Sequence, residues 1–218
     1  MKKVLIILIA ILLSGFRTDL PFNLFPSQSK NNFPLVIFIS GDGGWESFDQ
    51  KVCENLAENG MPVVGIDARK YFWIAKEPSE AAGEFEETVK HYLLEWNKKS
   101  FILVGYSFGA CVAPVIANSF TKSTIGFTGI YCISPDETTD LEIHISDMLS
   151  IGPIEKFDVL TELEKLTPLK PVCLFGADED IEIRKHFSIS GIRVETLPGG
   201  HRFNNNTVAV AKFILKDF

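Results

Sequence analysis

Apolar and polar residues along this chain fall into two alternating patterns. Apolar runs at 34–39, 61–66, 101–104 and 171–175 predict buried strands, since a strand covered on both faces needs no polar side, and the more mixed stretches 127–134 and 192–197 read as strands beside them. Between them, apolar residues recur at helical spacing. Phe48, Val52, Leu56 and Ala57 mark a helix over 47–59 that Gly60 stops, and Phe85, Val89, Tyr92, Leu93 and Trp96 mark a long one opening at Ser79. An alanine- and valine-rich helix follows over 110–120, bent by Pro114, then an acidic amphipathic helix over 157–166 and a terminal one over 206–216. Strand and helix in alternation imply the α/β class: a mostly parallel sheet of about six to eight strands with helices on both faces. Residues 140–145 alternate Leu141, Ile143 and Ile145 with Glu142 and His144, the period of a half-exposed inserted strand; no insertion is large enough for a lid domain.

The first residues differ in kind. Met1-Lys2-Lys3 precedes a purely aliphatic run, residues 4–13, and then Ser14 and Gly15. A charged start, a short apolar core and small residues form a signal peptide, or an N-terminal anchor if uncleaved, over 1–15. The run is short for a membrane span. Residues 16–32, polar and broken by Pro21 and Pro26, read as a linker, and 33–218 as one domain.

Composition narrows the partners. The 218 residues are 46% hydrophobic and carry a formal charge of −7, which becomes −9 once Lys2 and Lys3 leave with the leader. No basic stripe remains for nucleic acid. Cys53, Cys111, Cys132 and Cys173 are far apart and form no metal pattern, so they read as buried small hydrophobes, and neither metal nor cofactor is expected.

The chemistry gathers where strands end. The run at 101–104 stops at Gly105-Tyr106-Ser107-Phe108-Gly109 and a helix follows at once, which is the strand–turn–helix setting of a nucleophile elbow. Ser107 is the candidate nucleophile. The backbone N–H of Phe108 is one expected donor to an oxyanion, and that of Asp42 or Gly43, in the glycine-rich loop Ser40-Gly41-Asp42-Gly43-Gly44-Trp45, is the other. A serine hydroxyl needs an imidazole to take its proton and a carboxylate to orient that imidazole. His201, in the loop Pro198-Gly199-Gly200-His201 after the last strand, is the candidate base. The acid comes from Asp178-Glu179-Asp180, with Asp180 preferred because it lies far enough past its strand to fold back, and Glu179 and Asp178 as alternates. Asp67, Tyr71 and Trp73, at another strand end, and Tyr106 beside the nucleophile are candidate substrate contacts, although the aromatics at 71–73 fit packing under a loop equally well. The order serine, acid, histidine is that of the α/β-hydrolase fold and implies hydrolysis of an ester or thioester, or acyl transfer.

These motifs together resemble the bacterial virulence protein family VirJ/AcvB. The matching residues are Ser40 to Trp45, Asp67 with Tyr71-Phe72-Trp73, Gly105 to Ala110, Gly176 with Glu179-Asp180, and Leu197 to Phe203, in order over about 35–215. Arg202 stands where the family often has a second histidine, and Cys111 where an acidic residue is common. The resemblance implies an exported, periplasmic or envelope-associated hydrolase linked to type IV secretion. Its implied substrate is the aminoacyl ester of aminoacylated phosphatidylglycerol; the acidic charge of the chain suits such a cationic headgroup, and Asp42 or Asp67 is the candidate to hold its ammonium. Two alternatives stand beside this: a generic carboxylesterase or acyltransferase, and a non-catalytic binding factor with envelope protein partners on a hydrolase scaffold.

Overall fold

A strand with no polar face is stable only between two layers, and the sheet of this protein is built from such strands. The computed structural model describes residues 20–29, 31–121, 124, 126–143 and 156–218. Its strands are β1 (Phe22–Phe25), β2 (Leu35–Ile39), β3 (Val63–Ile66), β4 (Phe101–Tyr106), β5 (Phe127–Ile133), β6 (Thr138–Thr139), β7 (Phe157–Asp158), β8 (Val172–Gly176) and β9 (Arg193–Leu197). The helices are α1 (Ser47–Glu58), α2 (Ala68–Tyr71), α3 (Pro78–Glu95), α4 (Phe108–Asn118), α5 (Val159–Glu164), α6 (Ile181–Ile189) and α7 (Thr207–Leu215). Every residue of β2, β3, β4 and β8 is buried.

Seven strands form one sheet in the order β1-β3-β2-β4-β5-β8-β9, parallel throughout except for the β1–β3 pair. Val36, Phe38, Ile102 and Val104 face α1 and α7 on one side, while Leu35, Ile37, Ile39 and Leu103 face the layer containing α3, α4 and α5 on the other. Phe38, Phe101 and Phe175 are fully buried in these two layers, and each such side chain contributes roughly 1.5–3 kcal/mol of transfer free energy. This is the expected α/β-hydrolase architecture, with no large insertion among the described residues.

Three expectations change. Within the span read as a linker, Phe22–Phe25 joins the sheet as its antiparallel edge, with Leu20 buried just before it. Pro21 and Pro26 bracket a strand too short for its period to show in sequence. The inserted strand expected at 140–145 is displaced upstream to Thr138–Thr139, which pairs with Phe157–Asp158 in a separate ribbon; residues 140–143 are not a strand, and residues 144 and 145 lie outside the described residues. Helix α6 was not anticipated, because Ile181, half-exposed, and the charges around it give no clean apolar stripe. The leader at 1–15 also lies outside the described residues, and among the described residues no helix is long and apolar enough to cross a membrane.

Candidate active site

Ser107 sits at the apex between β4 and α4 with φ 54° and ψ −121°, a conformation that L residues rarely adopt. Its two flanking glycines permit it. A Cβ on Gly105 would lie 2.1 Å from the Gly109 carbonyl oxygen, and one on Gly109 would lie 2.2 Å from that of Ile39. The turn therefore closes only because both positions lack side chains. Phe108 opens α4, where an N–H has no intrahelical acceptor, and its ring packs edge-on against Phe72 at 5.4 Å.

The glycine-rich loop lies against this turn. A Cβ on Gly41 would be 3.4 Å from Ser107 Cβ and 3.8 Å from its Oγ. Gly44, at φ 88°, donates its N–H to the Gly41 carbonyl at 3.0 Å, which leaves Asp42 and Gly43 exposed at the tip. Trp45 anchors the loop. Its ring fills the space a side chain on Gly65 would take, at 2.1 Å, and stacks on Phe25 of β1 at 5.9 Å. The edge strand thus supports the loop beside the serine.

His201 meets its carboxylate in the loop after β9. Its Nδ1 lies 2.8 Å from Glu179 Oε1, so the carboxylate accepts from Nδ1–H and Nε2 is the nitrogen open to proton transfer. The Tyr106 hydroxyl donates to the His201 carbonyl at 3.3 Å, and the two rings lie 5.3 Å apart. Burial pushes the Tyr106 phenol well up, which keeps it a donor. The other carboxylate oxygen, Glu179 Oε2, accepts from the Ser134 hydroxyl at 2.9 Å and from the Gly176 N–H. Burial alone would push the Glu179 carboxyl up, but the bonds from His201, Gly176 and Ser134 outweigh it and hold the group below the usual carboxylate range.

The preferred acid is corrected. Asp180 caps α6, its Oδ1 accepting the Glu182 N–H at 2.8 Å, and the Asp178 N–H is tied to the Gly199 carbonyl at 3.0 Å. Glu179 is the member of the cluster that reaches His201. The turn after β8, closed by the Glu179 N–H on the Gly176 carbonyl at 3.2 Å, swings the third residue inward, and the fourth already belongs to the helix cap. Asp67, Tyr71 and Trp73 stand apart from the serine. Asp67 caps α2 and pairs with Lys70 at 2.8 Å, Tyr71 is core, and half-exposed Trp73 carries Arg69 at 5.8 Å over its ring. None of the three lines a cavity that Ser107 lines. Tyr106 does share a small cavity with Ser107 and His201, where it supports the histidine.

Ser107, Glu179 and His201 all line a larger cavity of about 590 Å³. No direct hydrogen bond joins Ser107 to His201 among the described residues. Asp42, Asp136, Asp140, Glu142, Glu179 and Asp180 line the same cavity, and among the described residues no lysine or arginine does. The rim over 134–143 had no catalytic signal in the sequence beyond Ser134-Pro135-Asp136 closing a strand at its C-terminal end. Cys111, one turn after Ser107, ties α4 to that rim by accepting the Asp136 N–H at 3.1 Å.

The chain belongs to the bacterial virulence protein family VirJ, whose model matches residues 34–218. No curated protein matches it in sequence. Among solved structures it is similar to the thioesterase domain from the curacin biosynthetic pathway, with TM-score 0.59 and 15% identity over 89% of this chain and 94% of that one. Est1E from Butyrivibrio proteoclasticus has TM-score 0.59 and 18% identity over 89% and 92%. MenH from S. aureus has TM-score 0.60 and 12% identity over 89% and 96%. At such identities the likeness is one of fold.

Proposed function

We propose that this protein is an exported serine hydrolase that cleaves an ester. The single observation that carries the proposal is the 2.8 Å contact of His201 Nδ1 with Glu179 Oε1, beside a serine on a strained strand-to-helix turn and in the cavity all three residues line. In the reaction, His201 Nε2 takes the Ser107 proton as Oγ attacks the carbonyl carbon, and ionised Glu179 stabilises the imidazolium through Nδ1–H. The Phe108 N–H and that of Asp42 or Gly43 receive the tetrahedral oxyanion. His201 returns the proton to the leaving alcohol, and a water repeats the sequence on the acyl-enzyme. The serine–histidine contact closes with substrate in place, as catalytic hydrogen bonds commonly do.

The substrate we propose is an ester of a cationic aminoacyl group, with aminoacylated phosphatidylglycerol as the envelope lipid suggested by the family resemblance. Charge supports it: among the described residues, six carboxylates and no basic side chain but His201 line the cavity, and a cluster of one sign in a low-dielectric cleft concentrates the opposite sign. Export is supported by the aliphatic run behind Lys2 and Lys3. The likeness in fold to a thioesterase domain and an esterase supports a second reading, a general carboxylesterase.

The test incubates the chain without residues 1–15, and its Ser107→Ala variant, with total envelope lipid. Aminoacylated lipid should disappear only with the wild type, and a fluorophosphonate should label only the wild type. Labelling without lipid turnover favours the general esterase; neither effect leaves a binding factor.

A further inference from the structure

We propose that Ser134 is a positioning residue of this site, whose hydroxyl fixes Glu179, and through it His201, in the orientation that proton transfer requires; the proposal rests on the hydrolase reading above. Ser134 follows directly on β5, buried, with its N–H donated to the Leu174 carbonyl of β8 at 2.7 Å and its hydroxyl to Glu179 Oε2 at 2.9 Å. The Gly176 N–H reaches the same oxygen. Two donors from two adjacent strand ends thus hold one carboxylate oxygen, and the other is left for His201. A glutamate carries its carboxylate on a flexible two-carbon stem, so one donor would leave it free to pivot about that bond. The second donor fixes the plane of the carboxylate.

The backbone supplies an independent observation. Ser134 holds φ 51°, in the left-handed region that glycine adopts without strain and serine does not. Packing gives no reason for a serine there, whereas the bond to Glu179 does, and strain of this kind persists where a local interaction over-determines it. Substitution by glycine therefore has opposite consequences for the backbone and for the site. It relieves the strain and removes the donor.

The hydroxyl also acts on protonation, because a donor to a carboxylate favours its charged form. His201 from the last loop is the charged group in contact with Glu179, and Asp42 from the glycine-rich loop, Asp136 from the segment after β5 and the neighbouring Asp180 line the same cavity. Only His201 among these is a donor to it, so losing Ser134 shifts Glu179 toward holding a proton to higher pH.

The experiment compares wild type, Ser134→Gly and Ser134→Ala by hydrolysis of p-nitrophenyl acetate and by the rate of fluorophosphonate labelling, each across pH, together with thermal melting. Both variants should lose roughly tenfold in kcat with little change in KM, and the acid limb of kcat should move to higher pH. Ser134→Gly should melt above Ser134→Ala, because only glycine relieves the left-handed backbone. A glycine variant with wild-type kcat and pH profile overturns the proposal, and so does a loss carried by KM, which would make Ser134 a substrate contact. Ser107→Ala runs beside them. If it still turns over ester, the hydrolase reading fails and takes this proposal with it; if it is inactive, the Ser134 variants decide the positioning role alone.

Discussion

Gly176 and Gly200 approach so closely that a Cβ on Gly176 would lie 2.3 Å from the Gly200 carbonyl oxygen. This contact lets the turn carrying Glu179 and the loop carrying His201 stack on each other, and the Ala177 N–H reinforces it by donating to the Leu197 carbonyl at 2.8 Å. The candidate acid and base are neighbours because a side chain is missing between their loops.

Gly176→Ala should therefore separate the two loops. Overpacking of this kind costs roughly 1–3 kcal/mol, measurable by urea unfolding, and activity should fall further than stability does because the Glu179 contact is displaced. Wild-type activity in a destabilised Gly176→Ala protein would show that the loops need not touch.

Glu179→Gln removes the charge that stabilises the imidazolium and should lower kcat by roughly a thousandfold or more, with the fold retained. Asp180→Ala should instead cost about 0.5–2 kcal/mol through loss of the α6 cap, with a small effect on kcat. Steady-state kinetics and melting of the two variants assign the acid; the reverse pattern would return that role to Asp180.

Cation selectivity should follow the cavity wall and not Asp67. Asp136→Asn should raise KM for a lysyl ester more than for a neutral acyl ester, because a carboxylate is lost from the wall. Asp67→Asn, in a residue bound to Lys70 and the start of α2, should change both KM values alike. Selectivity that tracked Asp67 would mean substrate reaches a different cavity.

Asp49 gives the folded protein an unusual pH dependence. Burial pushes its carboxyl up to about 7, outweighing the Glu46 N–H that donates to Oδ2 and favours the charged form, and Oδ1 has no partner. An acid raised on folding binds its proton more tightly in the native state, so its contribution to stability is fully present below the unfolded pKa of 3.8 and is lost as pH rises toward 7. The loss is on the order of 2–4 kcal/mol. Glu179, lowered on folding, acts oppositely, and its contribution is lost as pH falls through its folded value. Urea unfolding of wild type and Asp49→Asn across this range should show the variant's stability changing less between pH 4 and 7. Parallel curves would mean that Asp49 ionises freely in the native state.

Local pattern determined much of this protein. Short apolar runs at 34–39, 101–104 and 171–175, bounded by turn residues, read as buried strands, and glycine two residues to either side of Ser107 is a steric requirement written in local sequence. Ser107, His201 and the acidic cluster were legible for the same reason, since each follows a strand end. Which carboxylate meets the histidine was decided only by tertiary structure. Three acids in a row are equivalent in sequence, and the turn after β8 directs one inward and hands the next to a helix cap. Ser134 was hidden because its partner is 45 residues away, on a neighbouring strand end. Asp67 and Trp73 follow a strand end too but lie outside the cavity that Ser107 lines, because it is lined from the ends of β2, β4, β5, β8 and β9, and theirs is β3. Periodicity reports which faces are buried, while the order of strands in the sheet determines which of their ends share a cavity.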